Sequence, residues 1–213
     1  MKLTAPTFRI VFGRLVKLYY HYQNARTASW QVLCECSITA LPVDLAVIAK
    51  HYHICIEQYS KCPLISLMVP ETLSGDGFIA MVGGRKVIFL NDRIKTLGRR
   101  RFTLGHELGH GILGHPLDVI QPRNSQEDCL DQPLELEANV FSRDILAPAC
   151  VLYEMGVRTP EEIMRICNIS RRAAEIRAER LRVLRSRGKW YTHHLEQKVR
   201  KQFLEFILAN KLR

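Results

Sequence analysis

The chain has 213 residues, 47% of them hydrophobic, and carries 31 Lys and Arg against 21 Asp and Glu, a formal net charge of +10. That supports one full domain with a sizeable core and excludes a wholly disordered or repeat-built chain. The charge is uneven, because residues 1–170 hold 18 basic and 17 acidic side chains whereas residues 171–213 hold 13 and 4, so any attraction to an anionic partner belongs to the last fifth of the molecule.

In chain order, the first pattern is a dense apolar and aromatic run from Phe8 to Tyr22, read as a helix that packs on the rest of the protein. Arg9 and Arg14 interrupt it, Lys17 follows, and no small-residue cleavage site closes it. It is therefore read as neither a secretory signal nor a membrane span, which needs about 18 or more apolar residues in a row. A helical pattern begins at Pro42, with Leu45, Val47 and Ile48, and His53 to Ile56 reads as a short strand. Two further strand-like runs, Gly77 to Val82 and Lys86 to Leu90, flank Gly83-Gly84-Arg85. Glycine supplies the positive φ that a tight hairpin turn requires.

From Arg99 to Leu113, Phe102, Leu104, Leu108, Ile112 and Leu113 share one side of a helix that Gly114 and Pro116 close. The polar stretch from Leu117 to Pro133 reads as an exposed loop, and a second helix runs from Leu134 to Leu146. Thr159-Pro160-Glu161-Glu162 has the form of a helix start, with a capping residue, a first-turn proline and a glutamate three after the cap. That helix stops near Asn168, and Ser170 caps a longer one reaching Arg187, giving a helix-turn-helix outline. A last amphipathic helix carries Leu195, Val199, Phe203, Phe206 and Ile207.

Seven cysteines with no CxxC pair indicate neither a disulfide framework nor a thiolate zinc knuckle. With no signal or span, a soluble cytoplasmic protein is expected, with no membrane partner.

The sharpest chemical signal is His106-Glu107-Leu108-Gly109-His110 inside the first of the two central helices. Positions i and i+4 lie about 40° apart on a helix, so both imidazoles can reach one ion. Glu107 is rotated by about 100° from His106, which places its carboxylate beside the ion in the manner of a general base. Catalytic zinc takes three protein ligands and keeps a fourth position open. His115 is the nearest third candidate in sequence, but on a continued helix it would point about 180° away from His106. It reads instead as a helix-terminal histidine answering the helix dipole. Glu135 is better placed, because Asn139 lies one turn on along the same face and could orient a ligand histidine. Glu137 is the rival; its face is about 200° from that of Glu135, so both cannot serve.

Arg101-Phe102-Thr103-Leu104-Gly105 leading into the pentapeptide, Leu113-Gly114-His115 behind it, and Glu135-Leu136-Glu137-Ala138-Asn139-Val140-Phe141-Ser142 running into Leu146-Ala147-Pro148 together resemble the ImmA/IrrE family of metallo-endopeptidases. The looser resemblance extends over roughly Leu41 to Leu184. It implies an α+β, zincin-like fold, mostly helical, with a small sheet beside the HExxH helix and a helical C-terminal appendage. It divides the chain into an N-terminal helical extension over residues 1–40, a metallopeptidase domain over 41–150 and a helical region over 151–213. It implies Zn2+ held by His106, His110 and Glu135, Glu107 as the catalytic base, and Asn139 behind the ligands. It also implies a protein substrate in the form of a helix-turn-helix repressor of a mobile element or stress regulon. An extended substrate is expected to pair with the strand Lys86 to Leu90 if that strand lies at the sheet edge. Two departures from the family pattern are Gly105, where alanine is usual, and Ser142-Arg143, where small residues are usual.

A competing reading is a regulator that binds DNA or a partner on a non-cleaving scaffold. It rests on the helix pair from Pro160 to Arg187 and on Arg171, Arg172, Arg177, Arg180, Arg182, Arg185 and Arg187. Those arginines follow no single face, and Glu175 and Glu179 interrupt them, so a solvated basic surface, an acidic protein partner and a weak nucleic-acid contact all remain open.

Overall fold

The computed structural model describes residues 5–62, 75–117 and 132–212, with side chains described from Tyr20 onward. The loop expected from Leu117 to Pro133 lies, over residues 118–131, outside the described residues, as does Cys129. The architecture is mostly helical with one three-stranded sheet. In the element numbering used below, α1 is Ala5–Glu35, α2 Leu45–His51, β1 Cys55–Gln58, β2 Gly77–Val82, β3 Arg85–Leu90, α3 Leu97–Leu113 and α4 Gln132–Leu146. The C-terminal elements are α5 Ala149–Glu154, α6 Pro160–Cys167, α7 Arg171–Arg187, α8 His194–Gln202 and α9 Leu204–Ala209.

The first helix is much longer than the Phe8 to Tyr22 stretch that the sequence suggests. Asn24, Thr27 and Ser29 dilute the apolar pattern there, but Ala25, Trp30, Val32 and Leu33 are buried. Tertiary packing, which supplies most of a helix's stability, extends it past its weak local signal. The final helix breaks in two at Phe203, whose ring is fully buried at the joint between α8 and α9. Gln132 and Pro133, expected in the loop, form the first turn of α4, where a proline's missing N–H is harmless.

β2 and β3 form the expected hairpin, joined by Gly83 and Gly84, both at positive φ. β1 adds to the other side of β3 in parallel, pairing Cys55 with Val87. β3 is therefore the central strand, and the condition under which an extended substrate would pair with Lys86 to Leu90 is not met. The short β1 takes the hydrogen bonds that an edge strand would leave free, and the outer positions among the described residues fall to β1 and β2.

One face of the sheet lies on α3, with Ile79 and Ile54 seated over Gly111. Lys86 Nζ donates to the Gly111 carbonyl at 2.6 Å across the same contact. On its other side α3 meets α4 antiparallel, Gly105 opposite Ser142 and Gly109 opposite Ala138. The lack of side chains at both glycines lets the two backbones approach closely. The α6–α7 pair is capped as expected. Thr159 Oγ1 accepts from the Glu162 N–H while Glu162 accepts from the Thr159 N–H, and Ser170 Oγ accepts from Ala173.

α7 does not present its arginines uniformly to solvent. Arg177 is fully buried and pairs with Asp144 at 2.7 Å. Arg180 donates to the Tyr22 hydroxyl, and Arg185 to the Val157 carbonyl. Arg171 and Arg182 are exposed and paired with neighbouring glutamates. Among the described residues, no helix is long and apolar enough to cross a membrane.

Candidate metal centre

α3 and α4 cross with their polar positions opposed, so His106 and His110 on one helix face Glu135 on the other. His106 Nε2 lies 3.2 Å from Glu135 Oε2, His110 Nε2 3.2 Å from Glu135 Oε1, and the two Nε2 atoms are 3.0 Å apart. One donor atom from each residue falls within 4.8 Å of the others. Donors placed about 2.1 Å from a tetrahedral ion stand about 3.4 Å apart, so two imidazoles and a carboxylate at these separations suit a divalent transition metal. Glu135 is half-exposed and both imidazoles are mostly covered, which leaves the cluster one open side.

Glu107 is buried next to the cluster and does not join it. Burial pushes its carboxyl above the ordinary value, against the pull of His106 and His110 and of the Ile79 backbone N–H on β2. Hydrogen bonds from His106 and then His110 hold Glu135 well below the usual carboxylate range, so it stays an anionic donor. For His106, burial works to lower the pKa, but Glu135, Glu107 and Asn139 together hold it above the ordinary value.

Each imidazole is held from behind. Asn139 Oδ1 lies 3.1 Å from His106 Nδ1, the position expected of it from the helical face it shares with Glu135. Behind His110 stands His115, whose Nδ1 is 3.0 Å from His110 Nδ1. The expectation that His115 only answers the helix dipole is corrected. α3 ends at Gly114, whose left-handed φ of 75° turns the chain back, and the His115 N–H bonds the His110 carbonyl at 3.1 Å. The ring thereby lands, buried, beside His110 and not half a turn away.

Glu137 is not in the cluster. It is buried behind it, where its Oε2 lies 2.8 Å from His115 Nε2 and its Oε1 accepts from Asn24 Nδ2 at 3.1 Å and lies 2.8 Å from His21 Nδ1. Burial works to raise this carboxyl, but the hydrogen bonds from His115, Asn24 and His21 outweigh it and keep it below its ordinary value. Sequence reasoning missed His115, Glu137, His21 and Asn24 as neighbours of one another. The glycine directly after the helix was the signal for the first, and nothing local signalled the other three.

The fold brings together a helix-borne cluster of two histidines and a glutamate that could hold a metal ion. Residues 66–179 match the Peptidase M78 family, described as the IrrE N-terminal-like domain, and the chain belongs to this ImmA/IrrE family of metallopeptidase type. No curated protein matches the chain.

Proposed function

We propose that the protein is a zinc-dependent endopeptidase in which His106, His110 and Glu135 hold the ion and Glu107 is the general base. The observation that carries this reading is the convergence of those three donors beside a buried carboxylate that stays outside the cluster. When bound, zinc supplies Lewis-acid polarisation of the scissile carbonyl and acidifies a water. Glu107 takes the proton from the attacking water and delivers it to the leaving amine nitrogen, and its raised pKa suits both halves of that transfer. β2 runs beside Glu107 and is an outer strand among the described residues, so an extended peptide would add along it by main-chain hydrogen bonds.

Beyond Asn139 a cavity of about 240 Å³ opens between α3, α4 and α7, lined by Phe102, Leu136, Val140, Ile169, Ala173 and Ile176. Asn139 lines this cavity and also holds His106, so the cavity stands one residue from the proposed metal centre and would take an apolar side chain of the substrate. The substrate proposed is a helix-turn-helix repressor, in line with the family resemblance. Incubating purified protein with such a repressor, encoded next to this gene, tests the reading. Cleavage that zinc restores after chelation, and that Glu107→Gln abolishes while zinc is retained, supports it, whereas cleavage unaffected by Glu107→Gln refutes it.

A further inference from the structure

The N-terminal helix lies outside the family match, yet two of its side chains end at the back of the metal centre. His21 and Asn24 both reach Oε1 of Glu137, the buried carboxylate whose other oxygen faces His115. His115 in turn faces the rear nitrogen of His110. The four contacts form one unbroken chain from α1 to a ligand imidazole, and none exceeds 3.1 Å.

The chain has a single hydrogen-bond ordering compatible with metal binding. For His110 Nε2 to offer its lone pair to an ion, its proton must sit on Nδ1, which then donates to His115 Nδ1. His115 must therefore carry its own proton on Nε2, and that proton is donated to Glu137 Oε2. Glu137, an acceptor only, completes the order by accepting from His21 and Asn24. A carboxylate anchored in this way selects the His115 tautomer, and His115 selects the His110 tautomer. Reversing the His115 proton would force the wrong nitrogen of His110 toward the ion. Outer partners of this kind fix ring orientation as well as tautomer.

We propose that α1 is a working part of the metal centre, with His21 and Asn24 as positioning residues that act through Glu137 and His115 to present His110 Nε2 to the ion. The proposal rests on the reading above that His110 is a metal ligand. Packing of the same helix segment supports a rigid anchor. Tyr22, between the two donors, lies under the guanidinium groups of Arg143 and Arg180, each about 5.4 Å from its ring centre. Ala25, one turn after His21, is fully buried.

The test is zinc affinity of the full chain, measured by competition with a chromophoric chelator. The double variant His21→Leu/Asn24→Leu should bind zinc roughly 10- to 100-fold more weakly than wild type, the usual cost of losing an outer partner. His21→Asn with Asn24 kept places an amide donor where His21 Nδ1 stands and should restore most of the wild-type affinity. Full affinity in a double variant with a native circular-dichroism spectrum overturns the proposal. If the double variant does not fold, amide hydrogen exchange of wild type decides. Coupling is reciprocal, so zinc should slow exchange across residues 20–26, and unchanged protection there also overturns it. Wild-type protein that binds no zinc would instead refute the metal reading itself, an outcome separate from either of these.

Discussion

Ser142 Oγ lies 2.6 Å from the point that the Cβ of an alanine at position 105 would occupy. The same hydroxyl donates to the Phe102 carbonyl at 2.9 Å, so it is not free to swing aside. The missing methyl at 105 thus makes room for the hydroxyl at 142.

Gly105→Ala should therefore destabilise the protein despite alanine's better helix propensity. Overpacking of this kind costs about 1–3 kcal/mol, and the propensity gain returns at most about 1 kcal/mol. Adding Ser142→Ala should recover part of the loss. Urea denaturation of the two single variants and the double variant measures the coupling, expected at about 0.5–3 kcal/mol for side chains in contact. Additive effects would show that the two positions do not share the space.

The two glutamates of the proposed site should separate by readout. Glu107→Gln should keep its zinc and lose cleavage by roughly 10²- to 10⁴-fold, the range for a positioned general base. Glu135→Ala should lose zinc itself, because it removes one of three protein donors. Metal analysis of the dialysed variants beside their cleavage rates checks both. Zinc retained in full by Glu135→Ala would move the third ligand elsewhere.

Asp144 and Arg177 form a buried ion pair, and burial alone would raise the Asp144 carboxyl. Arg177 and then Arg143 overcome that effect and hold it below its ordinary value. A carboxyl depressed in the folded state stabilises the protein above its unfolded pKa of about 4, and that stability is lost as pH falls through the folded value. The wild type should lose this contribution only in the window below about pH 4. Asp144→Asn leaves Arg177 buried without its counter-ion and should cost about 3–5 kcal/mol at neutral pH. Its stability should also fall less steeply on acidification. Denaturation curves at several pH values test both expectations.

Ile176 is half-exposed at the rim of the cavity beyond Asn139, so Ile176→Asp should fold normally. A carboxylate there should disfavour apolar side chains and raise KM for the preferred peptides about 10-fold or more, as charge in an apolar pocket must be desolvated. Profiling cleavage of a peptide mixture by mass spectrometry reads the change, with zinc content expected to stay the same. An unaltered profile would detach the cavity from substrate recognition.

Much of the site was legible in the sequence because its signals are local. His106, Glu107 and His110 stand out as an HExxH pattern at helical spacing, and Glu135 and Asn139 share a face of the second helix, although the helical pattern left Glu137 as a rival. The capped α6–α7 pair and the Gly83-Gly84 hairpin were equally plain, since caps and tight turns are decided by a few adjacent residues. The order of the strands was not, because strand pairing is set by contacts between residues about 30 positions apart.

Local sequence pattern is enough to pick out the groups capable of metal chemistry and the helices that carry them. What stands behind those groups is set by tertiary packing. Glu137 lies 116 residues from His21 and 22 from His115, so no periodicity links them. Whether a buried carboxylate serves as a ligand, a base or an anchor depends on which elements close around it. In this protein, close packing of α1, α3 and α4 places Glu137 behind His110 and leaves Glu135 at the open side.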